Sequence, residues 1–214
     1  MTETDSSIQL VVGAGKVDRI IPDAAFWLKD YRLNDRWIYV DYQPTTPKDR
    51  IVPEDLAVTL ALNSQAGYMA FESLVQHCPI SLDCLPEKAL QDTSVEERGI
   101  IADLIMSMVH YPGFGASVAT KLLHKKRPAL IPVLDNLAIF TAYMNPRWPE
   151  KPARGDSVKD REKILEGLNW IAYDITRPEN EAAWEGLKEI EPHWSRIELF
   201  DSIWWRWFRS IQPV

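Results

Sequence analysis

Between Thr93 and Arg127 two helical stripes meet at Pro112-Gly-Phe-Gly115, and this junction restricts the fold more than any other stretch. Thr93-Ser-Val-Glu-Glu97 opens the first helix, with Thr93 or Ser94 as N-cap and Glu96 or Glu97 closing a capping box. Ile101, Leu104, Ile105 and Met108 follow at i, i+3, i+4 and i+7, the spacing of one buried face. Pro112 disfavours helical backbone in the residue before it, so the helix stops there. Gly113 and Gly115 let the chain turn tightly. Val118, Leu122 and Leu123 begin a second stripe, which Pro128 ends. The product is a helix, a tight turn and a helix. The second helix presents free amides and the positive end of its dipole at the turn. Such a start suits a phosphate.

Charge sharpens this expectation. The 214-residue chain carries a formal net charge of −7, which argues against a nucleic-acid coat protein. From Leu104 through Leu134, however, the only formal charges are Lys121, Lys125, Lys126 and Arg127. An acidic chain has placed an uninterrupted basic stretch beside its best phosphate-binding turn, as a local nucleic-acid footprint requires. The alternative is a solvated helix end, where Lys and Arg favour the C-terminal dipole.

The rest of the chain reads as a mainly α, single helical domain over residues 1–214, with a helix-hairpin-helix core at about 95–144. Residues 1–7 read as a polar tail without a secretory leader, so the expected compartment is the cytoplasm. Helical spacing marks Asp23–Leu33, and Trp37–Tyr42 is the best strand candidate near the N-terminus. Pro53-Glu-Asp opens a helix to about Leu62, and Tyr68–Val75 is a further apolar stretch. Asn136–Met144 reads as a helix, and 145–156, rich in proline and charge, as a loop or lid. Asp160–Ile175 and Glu179–Ile190 are helical. The stripe Ile197, Phe200, Ile203, Trp204, Trp207, Phe208 and Ile211 reads as a core helix rather than a stacking platform; Trp205 lies on its other face. No apolar run reaches the roughly 20 residues of a membrane span.

Cys78 and Cys84 read as free thiols and small core residues, too few for an iron–sulfur cluster. His77, His110, His124 and His193 lack ligand spacing, so no metal site is expected. Val11-Val-Gly-Ala-Gly15 lacks the third glycine of a dinucleotide fingerprint. Gly13-Ala-Gly-Lys16 lacks the spacing of a P-loop.

The run Tyr111-Pro-Gly-Phe-Gly115 with Ala119 resembles the Leu-Pro-Gly-Val-Gly hairpin of the helix-hairpin-helix DNA glycosylases, the endonuclease III and adenine glycosylase type. In that superfamily the catalytic aspartate lies twenty residues beyond the second glycine, as Asp135 lies beyond Gly115. Ile131-Pro-Val-Leu-Asp135 is similar to the Phe-Pro-Ile-Leu-Asp approach of the adenine glycosylases. The resemblance covers about 35 residues. It implies DNA as partner and Asp135 as the catalytic residue. It also implies backbone binding through Gly113, Gly115, Ser117, Lys121, Lys125, Lys126 and Arg127. Ser117 stands where lyase members carry lysine, which implies the monofunctional type. No cofactor is implied, though a monovalent cation at the hairpin is compatible. The chain departs from the pattern at Phe140, where a basic residue is expected, and in lacking the cluster cysteines. Pro53-Glu-Asp-Leu-Ala57 and Phe200-Asp-Ser-Ile-Trp204 resemble a bacterial family of unknown function.

The chemistry gives these residue types a reason. Cleaving a base from deoxyribose creates an oxocarbenium-like sugar, which a carboxylate stabilises while it orients or deprotonates water. Flipping the base costs a few kcal/mol, which backbone anchoring helps supply. Asp135 also suits an N-cap before Asn136. Three readings follow: a monofunctional DNA N-glycosylase, a non-catalytic DNA-binding hairpin module, and a scaffold or interaction protein. Composition leaves the oligomeric state and the target base open.

Overall fold

The structure, a computed structural model, describes residues 8–34, 42–61, 66–149 and 158–211. The expected tail at 1–7, strand residues 37–41 and loop residues 150–156 lie outside the described residues. The fold is mainly helical. The helices are α1 (Ala24–Asn34), α2 (Ala57–Ala61), α3 (Tyr68–His77), α4 (Val95–Val109), α5 (Ala116–Lys126), α6 (Arg161–Asp174), α7 (Glu181–Ile190) and α8 (Arg196–Ile211). Two short antiparallel pairs accompany them. In one, β1 (Leu10–Val12) meets β2 (Arg19–Ile21); in the other, β3 (Arg50–Ile51) meets β4 (Ile80–Ser81). One hydrophobic cluster runs from Leu10 in β1 to Phe208 in α8. Helix α1 packs on α8, α4 on α6, and α5 on α2 and α4. No described helix is long and apolar enough to cross a membrane.

Helix α4 begins at the capping box its sequence announces. The Glu97 amide donates to Ser94 Oγ at 3.2 Å, and Glu97 Oε2 accepts from the Ser94 amide at 2.7 Å. Ile101, Ile105 and Met108 bury one face. The turn to α5 needs its first glycine. Gly113 has φ +82, and a Cβ there would lie 2.6 Å from the Ala70 backbone nitrogen of α3. Ser73 Oγ donates to Pro112 O at 3.0 Å and fixes the same contact. Gly115 differs: it caps α5 in extended backbone, φ −144 and ψ 175. Helix α3 turns only part of its apolar stretch inward, and Tyr68, Met69, Phe71 and Val75 are exposed. Of the two thiols, Cys78 is half-buried but Cys84 is exposed, so the expected pair of core cysteines reduces to one partly buried residue.

The Gly13-Ala-Gly15 turn, which matches no nucleotide motif, holds an internal anion. Gly13, Ala14 and Gly15 all have positive φ, a geometry that points successive amides into one concavity. The Asp174 carboxylate fills it, accepting from the Gly13 amide at 2.6 Å and the Ala14 amide at 2.9 Å. Tyr143 Oη donates to the same carboxylate at 2.6 Å. Burial pushes Asp174 up despite these donors. Asn180 completes the junction by donating to Val11 O and accepting from the Val11 amide, both at 2.8 Å.

A second internal charge pair joins the N-terminal half to α5. Lys126 Nζ lies 2.8 Å from Asp55 Oδ1, with side chains 1% and 3% exposed. It also donates to Thr46 Oγ1 at 2.6 Å and Pro47 O at 2.7 Å. Asp55 accepts from the Val52 amide at 2.9 Å and from the Thr46 hydroxyl. Every proton of the ammonium therefore has an acceptor, the condition under which a buried pair is tolerated.

Two outcomes are expected in urea denaturation. Lys126→Met should cost about 3–5 kcal/mol by stranding Asp55, and adding Asp55→Asn should recover part of that loss. Gly113→Ala should cost at least about 2 kcal/mol, because it combines left-handed backbone with a clash against α3. A neutral effect at Gly113 would mean the turn is not packed on Ala70.

Candidate active site beside the hairpin helix

Helix α5 sits in the interior. Ser117, Thr120, Lys121, His124 and Lys126 are all buried on it, alongside Ala119, Leu122 and Leu123. A buried polar side chain needs a partner, and most of these partners lie in the irregular strap 128–135 that follows the helix. Pro128 O accepts from Ser195 Oγ at 3.1 Å, and Ala129 O from the Leu90 amide at 2.9 Å. His124 Nδ1 donates to Ile131 O at 2.6 Å. The Val133 amide donates to Asp201 Oδ2 at 2.9 Å, and the Leu134 amide to Thr120 Oγ1 at 3.0 Å. The strap is thus pinned at nearly every residue on its way to Asp135.

Asp135 divides its two oxygens. Oδ1 caps the following helix, accepting from the Leu137 amide at 2.9 Å and the Ala138 amide at 3.1 Å. Oδ2 faces α5, accepting from Ser117 Oγ at 3.3 Å and standing 4.0 Å from Lys121 Nζ. Its side chain keeps 22% of its surface exposed. Ser117 and Lys121 are one helical turn apart, so both meet the same oxygen. Burial pushes the Lys121 ammonium down, and the Asp135 charge opposes that shift.

The helix that Asp135 caps is a π-helix, Asn136–Tyr143, where the sequence predicts an ordinary helix. The Phe140 amide bonds to Asp135 O at 3.2 Å and the Met144 amide to Ile139 O at 2.9 Å, five residues apart in each case. Three of its carbonyls also accept side chains: Ala138 O takes Trp204 Nε1 at 2.8 Å, Asn136 O takes Thr141 Oγ1 at 2.8 Å, and Tyr143 O takes an Arg19 guanidinium nitrogen at 3.0 Å. Such wide turns recur at functional sites.

The other expected site residues are placed as follows. Gly113 lies in the turn and is exposed on its open side; Gly115 is buried at the start of α5. The first amide of α5, Ala116, donates to Val158 O at 3.4 Å. Lys125 is part-exposed on the last turn of α5. Lys126 is buried in its pair with Asp55. Arg127 donates to Lys48 O at 2.8 Å and to Glu87 Oε1 at 3.1 Å, with its side chain 17% exposed. Asp135, Ser117 and Lys121 form one cluster, from which Lys126 and Arg127 turn away. Among the described residues, no group of three or more His, Cys, Asp or Glu side chains could hold a metal ion.

Sequence reasoning missed His124 and Asp201. His124 is buried on the face of α5 toward the strap, and desolvation lowers it to about 4. Asp201 Oδ2 lies 3.8 Å from His124 Nδ1, and burial pushes Asp201 well above the usual carboxylate range. A signal existed: Asp201 stands four residues after Ile197 and three before Trp204, on the apolar stripe of α8.

His124 in the unfolded chain takes a proton near pH 6.5, but in the folded chain only near pH 4. The unfolded state therefore binds more protons between these values, and the stability contributed by the neutral imidazole falls as pH drops through that window. His124→Asn keeps a donor at the δ position and has nothing to titrate. Between pH 6.5 and 4, the wild type should lose on the order of 3 kcal/mol more than this variant in urea denaturation. Equal losses would place His124 in water rather than in the core.

A family model matches residues 24–207, a span holding the hairpin, the strap, Asp135 and α8 through Trp207. No curated protein and no solved structure matches the chain. With most of its length matched, including both aspartate-bearing segments at Pro53 and Phe200, the protein belongs to the family of unknown function DUF6308.

Proposed function

We propose that the chain is a DNA-acting N-glycosylase of the monofunctional type, in a bacterial cytoplasm, with Asp135 as its catalytic carboxylate. The observation that carries this reading is the division of labour at Asp135. A residue serving only as a cap needs one oxygen for the two amides. Here Oδ1 takes both, Oδ2 is turned to the hairpin helix, and the side chain as a whole keeps 22% of its surface exposed. During base release the C1′–N bond breaks, its electron pair leaves with the base, and the sugar gains positive charge. The Asp135 carboxylate stabilises that charge and orients the water that attacks C1′; the proton that water loses balances the one the departing base takes up. Ser117 holds the carboxylate's rotamer through its hydroxyl. Lys125, part-exposed on the last turn of α5, is the basic residue proposed to meet DNA phosphates, whereas Lys121 is buried beside Asp135. The reaction requires no cofactor.

One observation favours the non-catalytic hairpin module. The Asp135 carboxylate has a complete set of internal partners, two amides, a hydroxyl and an ammonium, and so has a sufficient structural role without a substrate.

Asp135→Asn separates the readings, because asparagine caps about as well as aspartate but carries no charge. Folding stability should fall by about 1–3 kcal/mol, the cost of removing the charge that faces the buried Lys121 ammonium while the cap is kept. Release of free base from a mixed pool of damaged duplexes should fall on the order of a hundredfold. The product should be an intact abasic site, since Ser117 has no amine to form a Schiff base. Salt-dependent duplex binding with no base release by the wild type would leave the non-catalytic module in place.

A further inference from the structure

Asp201 is an acid where an apolar residue is expected. It lies on the inward stripe of α8, between the fully buried Phe200 and Ile203, and its own side chain is 15% exposed. Burying a carboxylate there is unfavourable unless it is hydrogen-bonded. Its hydrogen bond comes from one backbone amide, that of Val133, and His124 Nδ1 of α5 stands 3.8 Å from the same oxygen. Val133 O in turn accepts the Asp135 amide at 3.0 Å. One residue therefore separates the grip of Asp201 from the carboxylate.

One helical turn further along α8, Trp204 makes a matching contact on the other side. Its Nε1 donates at 2.8 Å to Ala138 O. The Ala138 amide is one of the two that Asp135 Oδ1 accepts. The two α8 side chains, three residues apart and so on one face, straddle Asp135. One grips the backbone two residues before it, the other three residues after it. Trp204 is itself fixed by packing against Tyr143, with ring centroids 5.3 Å apart. Helix α5 supplies the groups that meet Asp135 Oδ2, while α8 holds the backbone that carries Asp135. The carboxylate's position thus depends on two helices that are far apart in the chain.

We propose that Asp201 and Trp204 are a pair of positioning residues that set the Asp135 carboxylate against the hairpin helix. Their catalytic consequence rests on the glycosylase reading; their mechanical consequence does not. Loss of either grip lets the strap and the first turn of the π-helix rotate, and Oδ2 leaves Ser117 and Lys121.

The test uses the full chain as Asp201→Ala, Asp201→Asn and Trp204→Phe, with Leu187→Ala in α7 as a control of core destabilisation. Asparagine retains an acceptor for the Val133 amide; phenylalanine retains a ring but no donor. Amide hydrogen exchange is read at Leu137 and Ala138 relative to Ile171 in α6. Asp201→Ala and Trp204→Phe should each lower the protection at Leu137 and Ala138 by about tenfold or more beyond any change at Ile171. Asp201→Asn should stay near wild type, and Leu187→Ala should move all three amides together. If one of the two clamp variants does not fold, the other decides. In base release from the duplex pool, Asp201→Ala should slow excision by about tenfold or more at saturating duplex while duplex binding changes little. Asparagine should restore it. Protection ratios unchanged in the variants that fold would overturn the clamp. Wild-type excision by Asp201→Ala would also overturn it and leave the glycosylase reading standing. Ratios that shift as expected, in a wild type that excises nothing, would support the clamp and end the glycosylase reading.

Discussion

A helix buried on nearly all sides is ordinarily apolar on all sides, and α5 is not. Ser117, Thr120, Lys121, His124 and Lys126 are inside, and desolvation obliges each to find a partner. Meeting that obligation organises the surroundings. Lys126 draws in Asp55 and the 46–47 carbonyl and hydroxyl, tying down the N-terminal half. His124 and Thr120 draw in the strap, and Ser117 and Lys121 meet Asp135. The site is a by-product of a polar helix that could not otherwise be buried.

The buried and half-buried aspartates follow one pattern. Asp55, Asp135, Asp174 and Asp201 each accept at least one backbone amide. Carboxylates that bind amides fix chain paths as well as charges: Asp55 holds the Val52 amide, Asp201 the strap and Asp174 the Gly13–Gly15 turn, while Asp135 caps the π-helix. This gives the two aspartate-bearing segments, Pro53-Glu-Asp and Phe200-Asp-Ser, a common physical role on opposite sides of α5.

Local signals and distant ones differed in legibility. The capping box at Ser94, the stop at Pro112, the hairpin and the α8 stripe were all readable, because each depends on residues within one or two turns. The Asp135–Ser117 approach was suggested only through resemblance, since Asp135 comes eighteen residues after Ser117, across the rest of α5 and the irregular strap. The destinations of Lys126 and Arg127 were not readable. A basic run at a helix end looks the same whether it faces water or, as here, reaches residues 46–48 and 87. The π-winding of Asn136–Tyr143 was hidden for a similar reason: the side chains on its carbonyls include Trp204, from another helix. The Gly13-Ala-Gly15 turn matches no nucleotide motif, and its occupant, Asp174, was not readable because it lies on α6.

That occupant has a consequence for the order of events during synthesis. The amides of Gly13 and Ala14 leave the ribosome well before their acceptor, Asp174, which stands 161 residues after Gly13. Asn180, which holds the Val11 amide and carbonyl, emerges later still. A two-stranded hairpin is at best marginal alone, and closing so long a loop comes late because its entropy is spent before its contacts form. The β1–β2 hairpin therefore waits on the translation of α6 and the turn beyond it, so a segment made early sets late.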